Sequence, residues 1–244
     1  MATPKFKRAI VVGASSGIGR ELTIQLAKEG TSVVAIGRRM DRLAMLAESA
    51  DGRIFPLQHD VTNSDSVPLA FQEATKMLDG LDLVVYASGV MPEVGFYEYN
   101  FDKDKAMVDV NLLGAIAWIN LAAERMEQTK HGSIVAIGSV AGDRGRSGNP
   151  VYNTTKAALA TYMEAVRNRI ARHDVKVCLV KPGPVATEMT VNLGIKNAMP
   201  VEEAAAKILK VADKNGEFYL KFAHRIAFFV IRNIPSWIFR RLKI

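Results

Sequence analysis

Apolar residues in this chain follow two recurring patterns. Short runs of aliphatic and β-branched residues, at 9–12, 32–36, 54–57, 81–87, 133–138 and 175–180, are apolar at most positions. That is how a strand buried on both faces reads. Longer stretches between them place apolar residues three and four apart, as a helix with one buried stripe requires. The spacing predicts a helix that opens at the turn near 17 and carries Leu22, Leu26 and Ala27, and a second that Asn63 or Ser64 caps and that ends near Leu78. Further helices are predicted over about 106–126, about 151–173 and 200–213, the last with Glu202 and Glu203 in its first turn. A final edge strand is predicted at 217–220. Strand and helix alternate with no repeat, linker or low-complexity segment, so the expectation is one α/β domain, a doubly wound parallel sheet.

The pattern changes near the end. Beyond Phe218 the chain carries Lys221, Arg225, Arg232, Arg240, Arg241 and Lys243, no acidic residue, and interleaved Ile, Phe, Val and Trp. At about 100° per residue, 222–234 places Ile226, Val230, Ile231 and Ile234 on one side and Arg225 and Arg232 on the other, and Pro235 ends the helix. Charge interrupts the segment too often for it to span a bilayer, which takes about 20 apolar residues. An interfacial helix with Trp237 as anchor fits, and packing against its own or a neighbouring subunit is the alternative. The expected organisation is therefore an α/β domain over 1–220 and an amphipathic basic extension over 221–244.

Composition adds little to this and removes some function classes. The formal net charge of +7 invites a nucleic-acid reading, but basic residues are scattered over the first two hundred positions and concentrate only in the apolar tail, which points to lipid instead. Cys178, the single cysteine, sits in the apolar run at 175–180 and reads as a buried strand residue, so no disulfide is expected. Residues 1–8 are basic but lead straight into a strand without a signal-peptide core. A reducing cytoplasm is expected, with the tail at the inner face of the membrane.

Chemistry collects where the predicted strands end. Gly13-Ala14-Ser15-Ser16-Gly17-Ile18-Gly19 links strand to helix. It reads either as a tight turn or as a Rossmann-type cradle, in which glycines let backbone approach a pyrophosphate at a helix N-terminus. The glycine spacing differs from the usual dinucleotide fingerprint. The second strand ends in Gly37-Arg38-Arg39, where an acidic residue would select NAD; guanidinium groups suit a 2'-phosphate, so this end reads as NADP-selective or as a solvated helix start, with Arg39 a candidate for simple exposure. Tyr152 and Lys156 fall four apart, on one helix face. They are either a solvated face or an acid–base pair in which the ammonium draws the phenol pKa down from about 10.

Taken together and in order, these motifs resemble the short-chain dehydrogenase/reductase family over nearly the whole chain. The resemblance implies that Gly13, Ser15, Ser16, Gly17, Ile18 and Gly19 carry NADP(H), with Arg38 and Arg39 at its phosphate, and that Asp60 contacts adenine with Val61 beside it. It places Ala87, Ser88 and Gly89 against the cofactor, and Pro182, Gly183, Val185 and Thr187 over its nicotinamide amide. It implies a catalytic tetrad of Asn111, Ser139, Tyr152 and Lys156. Tyr152 exchanges the proton with a carbonyl oxygen, Ser139 hydrogen-bonds that oxygen, Lys156 bonds the ribose and lowers the tyrosine pKa, and Asn111 holds a water near Lys156. No metal is implied.

Two regions depart from the family pattern. Val12 stands where Thr is common, and Tyr86-Ala87-Ser88-Gly89 replaces an Asn-Asn-Ala-Gly stretch, which implies an alternative local packing. The loop 141–146 and the segment 232–244 resemble bacterial reductases of lipid-linked keto-sugars of the decaprenylphosphoryl 2-keto-ribose type. That makes Arg144 and Arg146 phosphate contacts or exposed loop residues, and 189–199 a mobile lid beside the substrate. The function expected is NADPH-dependent reduction of a carbonyl, or the reverse, on a hydrophobic or lipid-linked substrate by a homodimer or homotetramer. Two alternatives stay open: a soluble reductase of small ketones or ketoacyl thioesters, and a catalytically silent NADP-binding sensor.

Overall fold

A computed structural model describes residues 4–191 and 197–242. Seven strands, β1 Arg8–Val12, β2 Ser32–Gly37, β3 Ile54–Gln58, β4 Leu83–Tyr86, β5 His131–Ile137, β6 Asp174–Lys181 and β7 Gly216–Tyr219, form one parallel sheet in the order β3-β2-β1-β4-β5-β6-β7. Val12 pairs with Ile36 of β2 on one side and with Tyr86 of β4 on the other. The winding therefore reverses between β1 and β4, which opens a crevice at the carboxyl ends of the strands.

Alternate strand residues supply two cores, one on each face. Ile10, Val12, Val34 and Val84 point to the layer formed by α3 Val67–Leu78, α4 Phe101–Val108, α5 Gly114–Thr129 and α6 Pro150–Arg169, where Trp118, Ile119 and Leu159 are fully buried. Ala9, Val11, Val33 and Val85 point to α1 Gly17–Lys28, α2 Met40–Glu48 and α8 Val201–Val211. Burial on both faces is why the strands read as unbroken apolar runs. Pro56 is tolerated in β3 because β3 is an edge strand.

Several boundaries differ from the sequence pattern. The helix expected at 106–126 begins at Phe101, where the side chain of Asn100 accepts the Lys103 N–H at 3.2 Å, and α5 runs on to Thr129. Between α4 and α5, Asp109–Leu113 forms a π-helical turn. Neither Asn63 nor Ser64 caps α3 by side chain: Ser64–Ser66 form a 3₁₀ turn and α3 starts at Val67. Helix α2 has only Leu43 and Leu46 buried, too thin a stripe to stand out in the sequence. In the segment expected to be a lid, α7 covers Glu188–Val191 and Val185 bridges Met199, while 192–196 lie outside the described residues.

The C-terminal segment folds as α9 Phe222–Asn233 and α10 Ser236–Phe239, with the break at Pro235. The helical wheel set Arg232 on the side opposite Ile226, and the structure shows what that side meets. Its guanidinium turns inward and bonds the buried Asp143 carboxylate. His224 packs on the protein as well, since a Cβ on Gly183 would sit 2.3 Å from its Cε1. The outward side retains exposed Phe222, Ile226, Phe229 and Trp237.

Candidate active site

The carboxyl ends of β1, β2, β4, β5 and β6 surround a cavity of about 340 Å³. The glycine turn forms its floor. Gly13 has φ +93° and lies so close to β4 that a Cβ would sit 2.5 Å from Ser88 N, while a Cβ on Gly19 would lie 2.2 Å from the Gly13 carbonyl. Both positions need glycine because immovable backbone faces them. The result is a strip of open backbone at the start of α1 that a pyrophosphate fits. Ser15, Ser16, Gly17, Ile18, Val61, Ala87, Ser88, Gly89, Pro182, Val185 and Thr187 line the cavity with it. Gly19, Asp60 and Asn111 stand behind the wall and do not line it.

Arg38 and Arg39 close the end nearest β2, with no carboxylate at the strand's own end. Arg39, which the sequence left as a candidate for simple exposure, is held in place: its Nη2 and Nε donate to Ser15 Oγ at 3.1 and 3.3 Å, and it pairs with Glu188 at 3.4 Å. Glu188 also pairs with Arg42 at 2.5 Å. Neither Arg42 nor Glu188 was read as part of the site; Arg42 lies three positions from Arg39 in the same α2 region, and that spacing was the available signal. Arg38 stands 3.8 Å from Asp60. Burial pushes the Asp60 carboxyl up, but bonds from the Thr62 N–H and hydroxyl and the Arg38 charge outweigh it and leave the group below its ordinary value.

At the other end α6 presents Tyr152 and Lys156, and β5 delivers Ser139. Lys156 is buried, donates to the Ile137 carbonyl at 2.9 Å, and lies 5.7 Å from the centre of the Tyr152 ring. Burial pushes its ammonium down to about 8. The tyrosine departs from the sequence reading. Burial raises the Tyr152 pKa, and the opposing influences are the Ser139 hydroxyl bond and the charge of Arg146, not Lys156, so in the free protein the phenol holds its proton at neutral pH. Ser139 Oγ also accepts the Ala141 N–H at 3.0 Å, which fixes its rotamer.

The π turn sets Asn111. Its side-chain carbonyl accepts the Val90 N–H at 2.7 Å, and its amide donates to the Val90 carbonyl at 2.9 Å and to Thr155 Oγ1 at 3.3 Å. Asn111 thus pins the loop after β4 to α6. The departure at Tyr86 has its explanation here: its hydroxyl donates to the Val110 carbonyl at 2.6 Å, capping the turn in a dry interior. The strands beneath keep their backbone link, Ala87 N–H to the Val12 carbonyl at 2.8 Å.

A second chamber, of about 940 Å³, opens on the far side of Tyr152. It shares Ser139, Tyr152, Gly183, Met189 and Thr190 with the first cavity. Arg146 lines it. Arg144 does not: its Nη1 donates to the Arg232 carbonyl at 2.9 Å, its Nη2 to Ser236 Oγ at 3.2 Å, and its guanidinium stacks 4.7 Å from the centre of Phe239. The expectation of Arg144 as a phosphate contact is corrected by that geometry, because its donors already hold the tail.

Known proteins share this architecture. The sequence model of one family, described as short chain dehydrogenase, matches residues 7–198. An uncharacterized oxidoreductase of Myxococcus xanthus is 35% identical over 193 residues, which is 78% of this chain and 76% of that protein. A second, from Staphylococcus aureus, is 32% identical over 185 residues, covering 75% and 80%. Among solved structures, a short chain dehydrogenase from Burkholderia cenocepacia in complex with NADP superposes with a TM-score of 0.85 over 99% of each chain at 23% identity. The closed form of a serine dehydrogenase complexed with NADP+ gives 0.81 over 87% of this chain and 93% of the other, also at 23% identity.

Proposed function

This chain belongs to the short-chain dehydrogenase family, and from that premise we propose that it is an NADP(H)-dependent oxidoreductase that reduces a carbonyl, or runs the reverse reaction, on a hydrophobic or lipid-linked substrate. One observation carries the reading: the Tyr152 phenol and the Ser139 hydroxyl stand where the cavity above the glycine turn meets the larger chamber. Residues 1–220 form the catalytic part and 221–244 the basic amphipathic extension.

The first cavity fits a phosphorylated dinucleotide. Gly13, Gly17 and the amides that open α1 would hold the pyrophosphate, Arg38 and Arg39 the 2'-phosphate, Val61 the adenine side, with the neighbouring Asp60 set 3.8 Å from Arg38, and Gly183 and Thr187 the nicotinamide end. When bound there, the cofactor supplies the hydride. The chain's own residues manage the proton. Tyr152 starts protonated, the form that can donate to a carbonyl oxygen, and Ser139 donates a second hydrogen bond to that oxygen as negative charge develops. Lys156, with its pKa brought down to about 8, can pass a proton toward Tyr152 after each turnover. Asn111 keeps the Val90 loop and Thr155 in register beside Lys156. The exposed apolar side of α9 and α10, flanked by Arg225, Arg240 and Arg241, suits an anionic membrane surface at the cytoplasmic face, where a lipid-linked substrate is met.

The test compares NADPH with NADH oxidation over simple ketones, ketoacyl thioesters and prenyl-linked keto-sugars. Turnover with NADPH on the apolar carbonyls, lost by at least a hundredfold in Tyr152→Phe while NADPH binding persists, is the expected result. Tight NADPH binding without turnover of any carbonyl would replace this reading with the sensing alternative.

A further inference from the structure

Glu188 belongs to one side of the cofactor cavity and binds the other. It opens α7 directly after Thr187, whose Cγ2 would lie 3.3 Å from a Cβ on Gly17, so this end of α7 rests against the glycine turn. Its carboxylate accepts from Arg42 Nη1 at 2.5 Å and from Arg39 Nη1 at 3.4 Å, both just beyond the end of β2. In the sheet, β2 and β6 lie on opposite sides of β1, β4 and β5, so these contacts span the crevice. Among the described residues no other carboxylate pairs with either arginine. The two contacts are not equivalent. Arg39 lines the cavity and gives its other donors, Nε and Nη2, to Ser15 Oγ, another lining residue, whereas Arg42 stands outside the lining. The bond from Arg42, opposed by burial and aided by the bond from Arg39, holds the Glu188 carboxyl below its ordinary value, so it is ionised at neutral pH. A phosphate at Arg39 and Ser15 meets that charge. Two anions on one guanidinium repel, and a phosphate, with three acceptor oxygens and up to two charges, holds the fork better than a single carboxylate does. Glu188 then has a second place to go, because Arg42 holds it by the shorter contact, outside the cavity.

We propose that Glu188 is a cofactor-specificity residue: it occupies Arg39 in the free protein, yields that guanidinium to the 2'-phosphate of NADP(H), and withdraws onto Arg42. NADH carries a hydroxyl in place of the phosphate and leaves Glu188 on Arg39. Arg42 is then a positioning residue, which acts through Glu188 and does not itself hold the phosphate. This role rests on the NADP(H) assignment and not on any carbonyl substrate.

Calorimetric titration of NADPH and of NADH into the full chain tests this without any turnover, since the two differ only in the 2'-phosphate. The wild type is expected to bind NADPH roughly tenfold more tightly than NADH, or better. Glu188→Gln keeps the volume and removes the competing charge, so it should tighten NADPH about threefold or more while NADH stays within about twofold. Arg42→Gln leaves Glu188 with Arg39 alone and should weaken NADPH about threefold or more. Arg42→Gln/Glu188→Gln should then bind NADPH as tightly as Glu188→Gln does. Binding of NADH by each variant reports that it is folded. An unchanged or weaker NADPH affinity in Glu188→Gln would overturn the role of Glu188. A double variant as weak as Arg42→Gln would make Arg42 a phosphate donor in its own right and overturn the withdrawal. A chain that prefers NADPH equally with Glu or Gln at position 188 keeps the NADP(H) assignment and loses this inference. Equal binding of NADPH and NADH by the wild type removes both.

Discussion

Lys181 Nζ lies 2.9 Å from Asp143 Oδ1, and both side chains are sealed from water, at 1% and 0% exposure. Lys181 also reaches Glu217 Oε2 at 2.6 Å, the Tyr219 hydroxyl donates to Asp143 Oδ2 at 2.8 Å, and Arg232 donates to the same aspartate. Two cations thus face two anions. The group joins the end of β6, the turn after β5, strand β7 and helix α9, so one cluster fastens the C-terminal segment beside the active-site loop. Burying such charges costs several kcal/mol per ion unless every partner is in place.

Asp143→Asn keeps the volume and removes one anion, leaving Lys181 and Arg232 with Glu217 alone. We expect a loss of about 3–5 kcal/mol in urea unfolding, and faster proteolytic cleavage between β7 and α10. A loss under about 1 kcal/mol would show that the cluster does not anchor the tail.

Lys156 makes a prediction about pH. Its folded-state pKa, about 8, lies below the ordinary 10.5 because burial disfavours the ammonium. Below pH 8 both folded and unfolded chains carry the proton, and the folded state bears the full penalty. Between about 8 and 10.5 the unfolded chain binds more protons, so this group makes stability rise with pH. At about 1.4 kcal/mol per unit the penalty has a ceiling of roughly 3 kcal/mol. The cofactor-free Lys156→Met variant should therefore gain in denaturant midpoint over wild type at pH 7, and the gain should shrink by pH 10. A difference that does not change with pH would mean that the ammonium is not desolvated as described.

The outward side of α9 and α10 leaves Phe229 and Trp237 at 70% and 59% exposure. If this side lies in a membrane surface, each ring contributes about 1.5–3 kcal/mol of burial. Phe229→Ser/Trp237→Ser should then bind phosphatidylglycerol liposomes at least tenfold more weakly in co-sedimentation while retaining NADPH binding. Unchanged sedimentation would remove the membrane role. A drop in particle mass in ultracentrifugation would assign this side to a neighbouring subunit.

Much of the fold was legible in the chain. The apolar runs marked the strands because a sheet covered on both faces leaves few polar positions, and the glycines marked the turn because only glycine permits backbone as close as it comes to Gly13 and Gly19, and Gly17 has φ +53°. The order of motifs was enough to place Ser139, Tyr152 and Lys156 around one point and Arg38 and Arg39 at the far end. What remained hidden depends on groups distant in sequence. That Arg232 turns inward follows from Asp143, 89 positions away. That Arg144 serves the tail follows from Ser236, 92 positions away. A helical wheel describes one helix in isotropic surroundings and has no means of showing which of its sides meets a buried carboxylate. The Tyr152 pKa was misread for the same reason: four-residue spacing puts Lys156 near the phenol, whereas its ammonium bonds the Ile137 carbonyl and burial sets the direction of the shift. Local sequence determined which residues form each element and each turn. Tertiary packing alone decided which charges lose water and which partner each one then takes, because desolvation depends on everything that surrounds a group.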